Sequence, residues 1–459
     1  MEEKDMKQIC QEALELLHER SYLDLQHLLS TMVPADIAIL MDEIPEESLA
    51  LVFRILPKET AAETFVYLDG DLQEILIQAF SDNELKQVID ELFLDDTVDI
   101  IEEMPANVVK RILKNSSPDM RKMINEILNY PKDSAGSIMT IEYVDLKKHM
   151  TVEEAFARIR KIGVDKETIY TCYVTDANRV LEGLVTVKDL LLSDKAAIID
   201  DIMETNVISV HTLEDKEDAA NLFNKYDLLA LPVVDKENRI VGIVTVDDAI
   251  DVIQEETEED FAKMAAITSA EESYFKTSAF THAKHRIVWL LFLMLSATIT
   301  GTILTKFEHA IAMVPLLVSF IPMLMDTSGN CGAQASTLII RGLALNEIKP
   351  RDIFKVLSKE IAVAGMCAIA LSVVNFARIL IMYGTKYDHI MVIASVVSAT
   401  LFLTVIIAKL IGCSLPLLAK AIKLDPAMMA SPLITTIVDA CAMLIYFFIA
   451  TSFMDKMVA

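Results

Sequence analysis

The feature that most constrains this sequence is a membrane-length apolar run at residues 424–453, which carries an acidic residue, Asp439, near its middle. If a helix begins near Met428, Asp439 lies about 16 Å along it at 1.5 Å per residue, close to the midplane of a hydrocarbon core about 30 Å thick. A carboxylate at that depth costs about 2.5–3.5 kcal/mol to insert. The run therefore predicts a transmembrane helix whose Asp439 faces water or a partner group and not lipid.

Polar residues recur on one face of this predicted helix. Ser431, Thr435 and Asp439 are spaced four residues apart, and Thr436 lies beside them. One interpretation is a water-lined cation path in which Asp439 is the binding carboxylate. The other is an aspartate that hydrogen-bonds a neighbouring helix and stabilises the bundle. We favour the first, because ionisable residues inside a membrane usually mark a functional site.

The charges divide the chain into two halves. Residues 1–272 contain 59 acidic and 26 basic side chains, whereas residues 273–459 contain 9 and 15. This predicts an acidic soluble half followed by a membrane domain at residues 276–459. The large negative charge of the first half excludes nucleic acid as a partner, because the phosphate backbone would be repelled.

Five apolar segments predict five spans, at residues 287–304, 310–340, 354–382, 390–411 and 427–453. The second contains Pro315, Pro322 and the run SGNCGAQAS, which predicts a broken helix whose backbone carbonyls line a cavity. Asp326 places a further carboxylate near the middle of this segment. The lipid bilayer is the implied partner of the whole second half.

The Lys and Arg residues predict the orientation of the spans. Eleven flank one side, Lys409 among them, and three flank the other. Positive loops stay inside, and the polar start MEEKDMKQIC is no signal peptide. We therefore expect a multi-pass protein of the plasma (inner) membrane with a cytoplasmic N-terminus and an extracytoplasmic C-terminus.

Residues 1–131 predict an acidic superhelix of short helices, because prolines recur where helices should begin, as at Pro34, Pro45 and Pro57. In the segment LFLDDTVDIIEEMP, Asp95 and Asp99 lie one turn apart on one face, with Asp96 beside them. A divalent cation could relieve their repulsion. A solvated acidic face is the alternative, and this segment alone favours it.

The next segment is a duplicated α/β module, with copies at residues 132–200 and 201–253. Gly183 and Gly242 are 59 residues apart, as are Asp189 and Asp248, and the flanking motifs match in order. The pair resembles tandem cystathionine-β-synthase (CBS) domains. That resemblance implies an adenosine nucleotide such as ATP as a candidate ligand, with Thr186, Lys188 and Asp189 at its ribose and phosphates.

An acidic helix is predicted to connect this module to the membrane, at residues 254–275. The carboxylates leading into it and along it follow helical spacing, so that two adjacent faces are acidic: Asp248, Asp251, Glu255 and Glu259 on one, Glu256 and Asp260 on the other. Because the helix leads into the first span, we favour a regulatory, plug-like element over a passive connector.

The order of these parts resembles the MgtE family of magnesium channels along the whole chain. The closest matches are residues 320–345, which contain a GNxGxQ-like motif with Asn330, and residues 425–439, DPAMMASPLITTIVD, which begin at Asp425. The resemblance implies that Asp439 is the pore aspartate and that the protein is a homodimer with its pore on the two-fold axis. Asp326 does not belong to these motifs.

The resemblance also implies that the cytosolic domains bind Mg²⁺ and close the pore when internal Mg²⁺ is high. The sensing carboxylates implied by the resemblance are Asp95, Asp96, Asp99, Asp215, Glu217, Asp227, Asp248, Asp251, Glu255, Glu256, Glu259 and Asp260.

We therefore predict a Mg²⁺-selective channel that is gated by Mg²⁺. A carrier or exchanger for divalent cations such as Co²⁺ or Mn²⁺ is the alternative, since Asp439 does not itself select among hard cations. A membrane-anchored CBS nucleotide sensor is a third interpretation, although an anchor needs neither a broken span nor a polar face. No nucleophile–base constellation is present in the sequence, so we do not expect an enzyme.

Overall fold

The computed structural model describes residues 3–268, 274, 277–384, 387, 389–429 and 431–454. It contains two compact units, Met1–Gln254 and Glu255–Ala459, and each is described by itself. The predicted fold class is confirmed: a helical N-domain and two α/β sheets are followed by long apolar helices of a membrane domain.

The N-domain is a tandem of short helices that share one continuous apolar core. They are α1 (Glu3–His18), α2 (Tyr22–Leu29), α3 (Pro34–Asp42), α4 (Glu46–Ile55), α5 (Lys58–Val66), α6 (Gly70–Ala79), α7 (Asp82–Ile89), α8 (Leu94–Glu103), α9 (Ala106–Asn115) and α10 (Pro118–Ile127). Pro34 occupies the first helical position as predicted. Pro45, Pro57 and Pro105 lie one residue earlier, at the N-cap.

The duplicated module consists of two three-stranded sheets of identical topology. In each, the first and second strands are parallel and the second and third antiparallel. The strands are β1 (Val144–Leu146), β2 (Thr171–Thr175), β3 (Leu181–Thr186), β4 (Val210–His211), β5 (Ala230–Val234) and β6 (Ile240–Thr245). The helices are α11 (Val152–Ile162), α12 (Val187–Leu192), α13 (Ile199–Ile202) and α14 (Lys216–Tyr226), with a 3-10 turn at Gly163–Asp165.

The two copies interlock through equivalent glycines. Thr140, which precedes the first copy's strands, bridges to Ile243 in the second sheet, and Glu204 bridges to Leu184 in the first. A Cβ at Gly242 would lie 2.6 Å from the Thr140 carbonyl oxygen, and one at Gly183 would lie 2.9 Å from that of Glu204. Only glycine permits these backbone approaches. This explains the duplicated glycine that the sequence shows.

The acidic helix α15 (Val246–Met264) is shorter than the segment predicted for the connecting helix. Ala266 adopts a left-handed conformation with φ 54°, and the Ile267 N–H donates to the Ala262 carbonyl. This is a helix C-terminal cap, so the prediction that the helix extends to residue 275 is wrong. Residues 269–273, 275 and 276 lie outside the described part of the chain.

The second unit is built on α16 (Ala279–Lys306), α17 (Glu308–Met313), α18 (Ile321–Ala344), α19 (Ile353–Tyr383), α20 (Ile390–Ala421) and α21 (Ser431–Ser452), with 3-10 turns at Pro315–Phe320, Pro350–Asp352 and Pro426–Met429. Within the described residues, four helices are long and apolar enough to cross a membrane; they correspond to α16, α19, α20 and α21. The second predicted span corresponds to α18, which packs against α20 and α21 and whose run SGNCGAQAS makes it less apolar.

The predicted helix break lies at one position only. The chain breaks at Val314, before Pro315, but SGNCGAQAS lies inside the continuous α18. Its glycines serve helix packing: a Cβ on Gly412 of α20 would lie 2.2 Å from the Gly332 carbonyl oxygen. Small residues permit this close approach between membrane helices. The expectation of exposed carbonyls along SGNCGAQAS is therefore wrong.

Lys409 is not in a loop flank as the charge count assumed, because α20 continues to Ala421. Its side chain is 5% exposed and its Nζ lies 3.9 Å from Glu360 Oε2 on α19. A buried charge in an apolar bundle requires such a partner. Lys409 thus pairs two membrane helices instead of marking the membrane surface.

Candidate ion-binding sites

The first unit contains a cluster of carboxylates where the N-domain meets the CBS pair. Asp95, Glu142 and Glu167 each place one carboxylate oxygen within 4.8 Å of the other two. Asp95 lies at the start of α8, whereas Glu142 and Glu167 belong to the first CBS copy. Three further acids influence the ionisation of Asp95 or Glu167: Asp96, Asp247 and Asp248.

Short hydrogen bonds position Glu142 beside the N-terminus of α8. Its Oε2 accepts from the Leu94 backbone N–H at 3.2 Å and from the Thr140 hydroxyl at 2.8 Å. The Glu167 N–H in turn donates to the Glu142 carbonyl at 2.9 Å. In contrast, Glu167 Oε2 is buried without a hydrogen-bond partner among the described residues. The cluster therefore contains a buried carboxylate oxygen that lies among other acidic side chains and accepts no hydrogen bond from the described residues.

The electrostatics of the cluster favour a bound cation. Burial, followed by Asp248, Asp96 and Glu167, raises the pKa of Asp95 well above its ordinary value. Burial and neighbouring carboxylates raise the pKa of Glu167 to about 8 and that of Asp96 to about 6. Like charges and desolvation both disfavour ionisation. A hard divalent cation would reverse both effects, because it prefers carboxylate oxygens.

Asp248 reaches this cluster from the second CBS copy. Its Oδ2 accepts from the Thr245 hydroxyl at 2.6 Å, and burial, followed by Asp247 and then Asp96, raises its pKa to about 6. Of the predicted sensing residues, the structure thus brings together Asp95, Asp96 and Asp248. Asp99 and Asp251 instead lie exposed on α8 and α15.

The predicted residues around α14 do not form one site within this chain. Asp215 caps the start of α14, where its Oδ1 accepts from the Glu217 N–H at 2.9 Å. Asp227 adopts a left-handed conformation just after the end of α14. Twelve residues of helix separate the two aspartates by about 18 Å. They belong to separate places on the surface.

In the second unit, the end of α15 contacts the connection between α20 and α21. Lys263 Nζ lies 2.6 Å from Asp425 Oδ2 and 2.7 Å from Glu259 Oε1. Burial, followed by Asp425, raises the pKa of Asp260. Glu256 is half-buried and Glu255 exposed. Asp425, predicted at the pore, therefore lies before α21 and forms an ion pair with Lys263.

The candidate nucleotide residues form a helix cap. The Thr186 hydroxyl donates to Asp189 Oδ2 at 2.5 Å, and the Asp189 N–H donates to the Thr186 hydroxyl at 3.1 Å. Lys188 is exposed beside them. This cap leaves Asp189 at the surface, whereas its duplicate Asp248 lies in the acidic cluster.

Asp439 is half-buried on α21, near the middle of the membrane-length segment Pro426–Ser452. A Cβ on Gly329 of α18 would lie 3.6 Å from Asp439 Oδ1 and 3.2 Å from Thr435 Cγ2. Glycine thus opens space beside the carboxylate. Asp326, also on α18, is close enough to interact electrostatically with Asp439.

The other predicted pore residues surround this position. Asp326 and Asn330 are exposed in the single chain, and Asn330 Nδ2 donates to Asp326 Oδ1 at 3.2 Å. The Thr435 and Thr436 hydroxyls both donate to the Pro432 carbonyl, at 3.0 and 2.9 Å. Their lone pairs remain available to a cation. The side chain of Ser431 lies outside the described part of the structure.

Sequence reasoning missed Glu142, Glu167, Asp247 and Lys263. Glu142 precedes β1 and Glu167 precedes β2, and neither lies in an acidic run, so no spacing distinguished them. Asp247 directly precedes Asp248 in the motif VTVDDAI, and this adjacency was the one sequence signal that could have identified a missed residue. The cluster exists only because the N-domain packs against the CBS pair.

Family models match nearly every part of this arrangement. A divalent cation transporter model, MgtE, matches residues 321–449. The MgtE intracellular N domain matches residues 32–133, and the CBS domain matches residues 135–195 and 199–255. The chain is thus a multi-pass membrane protein of the divalent cation transporter class, with an intracellular N-terminal domain.

Comparison with whole proteins defines the family. The chain is 32% identical to the magnesium transporter MgtE of Bacillus subtilis over 446 residues, which covers 96% of both chains. It is 34% identical to MgtE of Thermus thermophilus, covering 95% of this chain and 96% of that one. The chain belongs to the MgtE family of magnesium transporters, a family of transporters and not of enzymes.

About half of the chain is also similar to a solved structure. The crystal structure of the cytosolic domain of the Mg²⁺ channel MgtE in complex with ATP matches with a TM-score of 0.51 at 36% identity. The match covers 53% of this chain and 99% of that one. That protein binds ATP in its cytosolic domain.

Proposed function

We propose that this protein is a Mg²⁺ channel that cytosolic Mg²⁺ closes. The observation that carries the proposal is the half-buried Asp439 at mid-span on α21, with Gly329 against it and Asp326 nearby on α18. A carboxylate in that position attracts a divalent cation but, with few other acids, can release it again. Mg²⁺ keeps most of its water and needs few protein ligands.

A second copy of the chain would complete the pore. Asp326 and Asn330 are exposed polar groups on a membrane helix, where contact with lipid would be costly. A two-fold axis beside α18 and α21 would place two sets of these residues around one water-filled path. The assembly that we propose is therefore a homodimer in the plasma membrane, with the C-terminus of each chain on the extracytoplasmic side.

The acidic cluster supplies the gate. Without Mg²⁺, the repulsion among Asp95, Glu142 and Glu167 opposes the packing of the N-domain on the CBS pair. Mg²⁺ would bind between these carboxylates more tightly in the packed form than in the separated form, and this difference in affinity would favour the packed form. Helix α15 continues along the chain from the CBS pair into the second unit, where Lys263 pairs with Asp425 before α21. Thr186, Lys188 and Asp189 are the proposed contacts of a nucleotide such as ATP, by analogy with the solved relative.

Flux into proteoliposomes tests the pore. We expect Asp439→Ala to reduce Mg²⁺ uptake at least about tenfold, since the charge that attracts the cation is lost. Ser452→Ala, at the far end of α21, is the matched control and should conduct normally. Full uptake by Asp439→Ala would refute the pore assignment. Single-channel currents far above carrier turnover separate a channel from a carrier or exchanger, and absent uptake in every variant would favour the anchored sensor.

Inhibition by internal Mg²⁺ tests the gate. We expect Asp95→Asn combined with Glu142→Gln to raise the inhibitory Mg²⁺ concentration about tenfold, a coupling typical of allosteric sites. Deletion of residues 1–250 should remove the inhibition. Asp36→Asn combined with Glu47→Gln removes the same charge from the N-domain surface and should leave the inhibition unchanged. An unchanged threshold in the cluster variant would place the sensor elsewhere.

A further inference from the structure

The first CBS copy contains a basic cavity within this acidic half of the chain. The cavity has a volume of about 510 Å³, and four of its nine lining residues are cations: Arg158, Lys161, Lys166 and Arg179. Among the described side chains, Asp145 is the single acid that lines it. Residues 1–272 have more than twice as many acidic as basic side chains, so a concave surface of this sign is unexpected.

Two of the four cations are held in place by hydrogen bonds. Arg158 Nε donates to the Asp145 carbonyl at 2.7 Å, and its guanidinium also pairs with the Asp145 carboxylate. Arg179 Nη2 donates to the Tyr143 hydroxyl at 2.9 Å. Tyr143 is buried, and its hydroxyl reaches the Ile240 carbonyl at 3.3 Å. These guanidinium groups are therefore preorganised on opposite elements, α11 and the β2–β3 turn.

Four cations line the cavity beside one described acid, so its lining carries a net positive charge. Asp145 pairs with Arg158 and lies 3.6 Å from Lys147 Nζ. The hydrogen-bond partner of Arg179 is the neutral phenol of Tyr143, and Asp145 and Glu126 act on Arg179 only through their charge. Among the described residues, neither Lys161 nor Lys166 forms an ion pair. Lys161 is exposed at the end of α11, and Lys166 is half-buried just after it. Three cations thus face one concave space in which an anion would satisfy them.

We propose that this cavity binds a small, multiply charged oxyanion of the phosphate class. Guanidinium and ammonium groups that converge on one space are the donors that phosphate oxygens accept best. The volume lies within the range of small-molecule pockets, about 300–1,000 Å³. Ile141 and Ile162 also line the cavity and provide an apolar wall for an organic part of the ligand.

This site differs from the other proposed ligand sites. Thr186, Lys188 and Asp189 do not line the cavity. Its charge is also opposite to that of the acidic cluster, so it repels Mg²⁺. The inference stands independently of transport and gating.

Equilibrium binding to the full-length protein in nanodiscs tests the proposal. Pyrophosphate and ADP are titrated calorimetrically in buffer without divalent cations. We expect Lys161→Gln combined with Lys166→Gln to raise the dissociation constant at least about tenfold, as loss of charge-assisted contacts does. Lys161→Arg combined with Lys166→Arg keeps the charge and should retain binding. Lys110→Gln combined with Lys122→Gln removes two exposed charges from α9 and α10 and should have no effect.

The two probes distinguish the source of the phosphate. In the Thr186→Ala/Lys188→Gln variant, which lacks the proposed nucleotide contacts of the helix cap, equal affinity for pyrophosphate and ADP would support a ligand recognised by phosphate alone, whereas tighter binding of ADP would support one with an organic part against Ile141 and Ile162. Unchanged affinity in the Lys161/Lys166 glutamine variant would overturn the proposal. So would loss of all binding in Thr186→Ala combined with Lys188→Gln, because the anion would then occupy the helix cap.

Discussion

At the scale of single residues, Glu167 shows how the surroundings of a carboxyl group change its ionisation. An exposed glutamate is ionised at neutral pH, but Glu167 is packed among other acids with one oxygen unpartnered in the described structure. Its raised pKa means that the folded protein binds a proton that the unfolded chain releases. Burial and the repulsion among the carboxylates therefore destabilise the folded cluster, and either a bound proton or a bound cation reduces this destabilisation.

This destabilisation predicts that the stability of the folded unit depends on pH. Because the folded pKa of Glu167 is about 8 and its ordinary value 4.5, the free energy of unfolding should decrease as pH rises between these values. Glu167→Gln should remove part of that decrease and stabilise the unit by about 2 kcal/mol at pH 8, after allowance for solvent screening. Urea titrations of residues 1–254 as a separate fragment, without divalent cations, measure the pH dependence of the free energy of unfolding and the effect of Glu167→Gln on it.

The control for this prediction is Glu47→Gln on the exposed face of α4, which should leave the pH dependence unchanged. Saturating Mg²⁺ should flatten the decrease in the unaltered fragment, since a cation that binds carboxylates favours their ionised form. A stability that rises from pH 5 to pH 8 without Mg²⁺ would contradict the assignment.

At the scale of secondary-structure elements, two motifs of identical sequence pattern acquire different surroundings. Thr186 with Asp189 and Thr245 with Asp248 form equivalent helix caps in the two CBS copies. Asp189 stays exposed, whereas the N-domain covers Asp248. The duplication determines the local structure of both caps, and the packing of a third domain decides which one becomes part of an acidic cluster.

Helix packing in the membrane unit depends on Gly412. A Cβ there would lie 2.2 Å from the Gly332 carbonyl oxygen, so that Gly412→Ala must separate α18 from α20. We expect a loss of about 1–3 kcal/mol of stability, as for other overpacked positions, and a lower yield of monodisperse protein. Thermal unfolding of the detergent-solubilised protein, followed by size-exclusion chromatography, measures this loss.

Gly365→Ala on α19 is the matched control, because, apart from the adjacent backbone of α19 and the neighbouring residues, no described atom lies within 4 Å of the position that a Cβ would occupy there. It makes the same chemical change in a neighbouring membrane helix and should leave the melting temperature unchanged or slightly raised. Equal melting temperatures for the two variants would show that the Gly332–Gly412 approach does not limit the stability of the bundle.

At the scale of the whole molecule, the two proposed ion-binding sites lie in two different compact units. All six carboxylates of the acidic cluster lie in Met1–Gln254, whereas Asp439 and Asp326 lie in Glu255–Ala459. The proposed sensing carboxylates therefore need no membrane helix to come together, although their proposed effect on the pore would require the complete chain.

This division predicts that a fragment of residues 1–254 folds alone and binds Mg²⁺. Its melting temperature should rise by several degrees with millimolar Mg²⁺, because binding to the folded state alone stabilises it. Na⁺ at equal ionic strength should give a smaller rise, since screening lacks direct ligation. Asp95→Asn combined with Glu142→Gln should lose the difference between the two salts. Equal stabilisation by both salts in the unaltered fragment would indicate screening alone.

The sequence by itself determined the helical N-domain, the duplicated α/β module and the apolar helices of the membrane domain. These follow from local patterns: prolines at helix starts, repeated motifs at fixed spacing, and apolar runs as long as a bilayer is thick. It also predicts Asp439 as the pore carboxylate, because a carboxylate at the middle of such a run is conspicuous without any knowledge of its neighbours; this assignment stays a prediction.

Only the tertiary structure decided which distant residues meet. Glu142 and Glu167 join Asp95 through packing between domains, Lys409 meets Glu360 across two helices, and the glycines of SGNCGAQAS serve close packing in an unbroken helix. Local patterns carry no information about contacts between residues far apart in the chain. Those contacts are set by which surfaces bury together, and they determine where charge is concentrated in this protein.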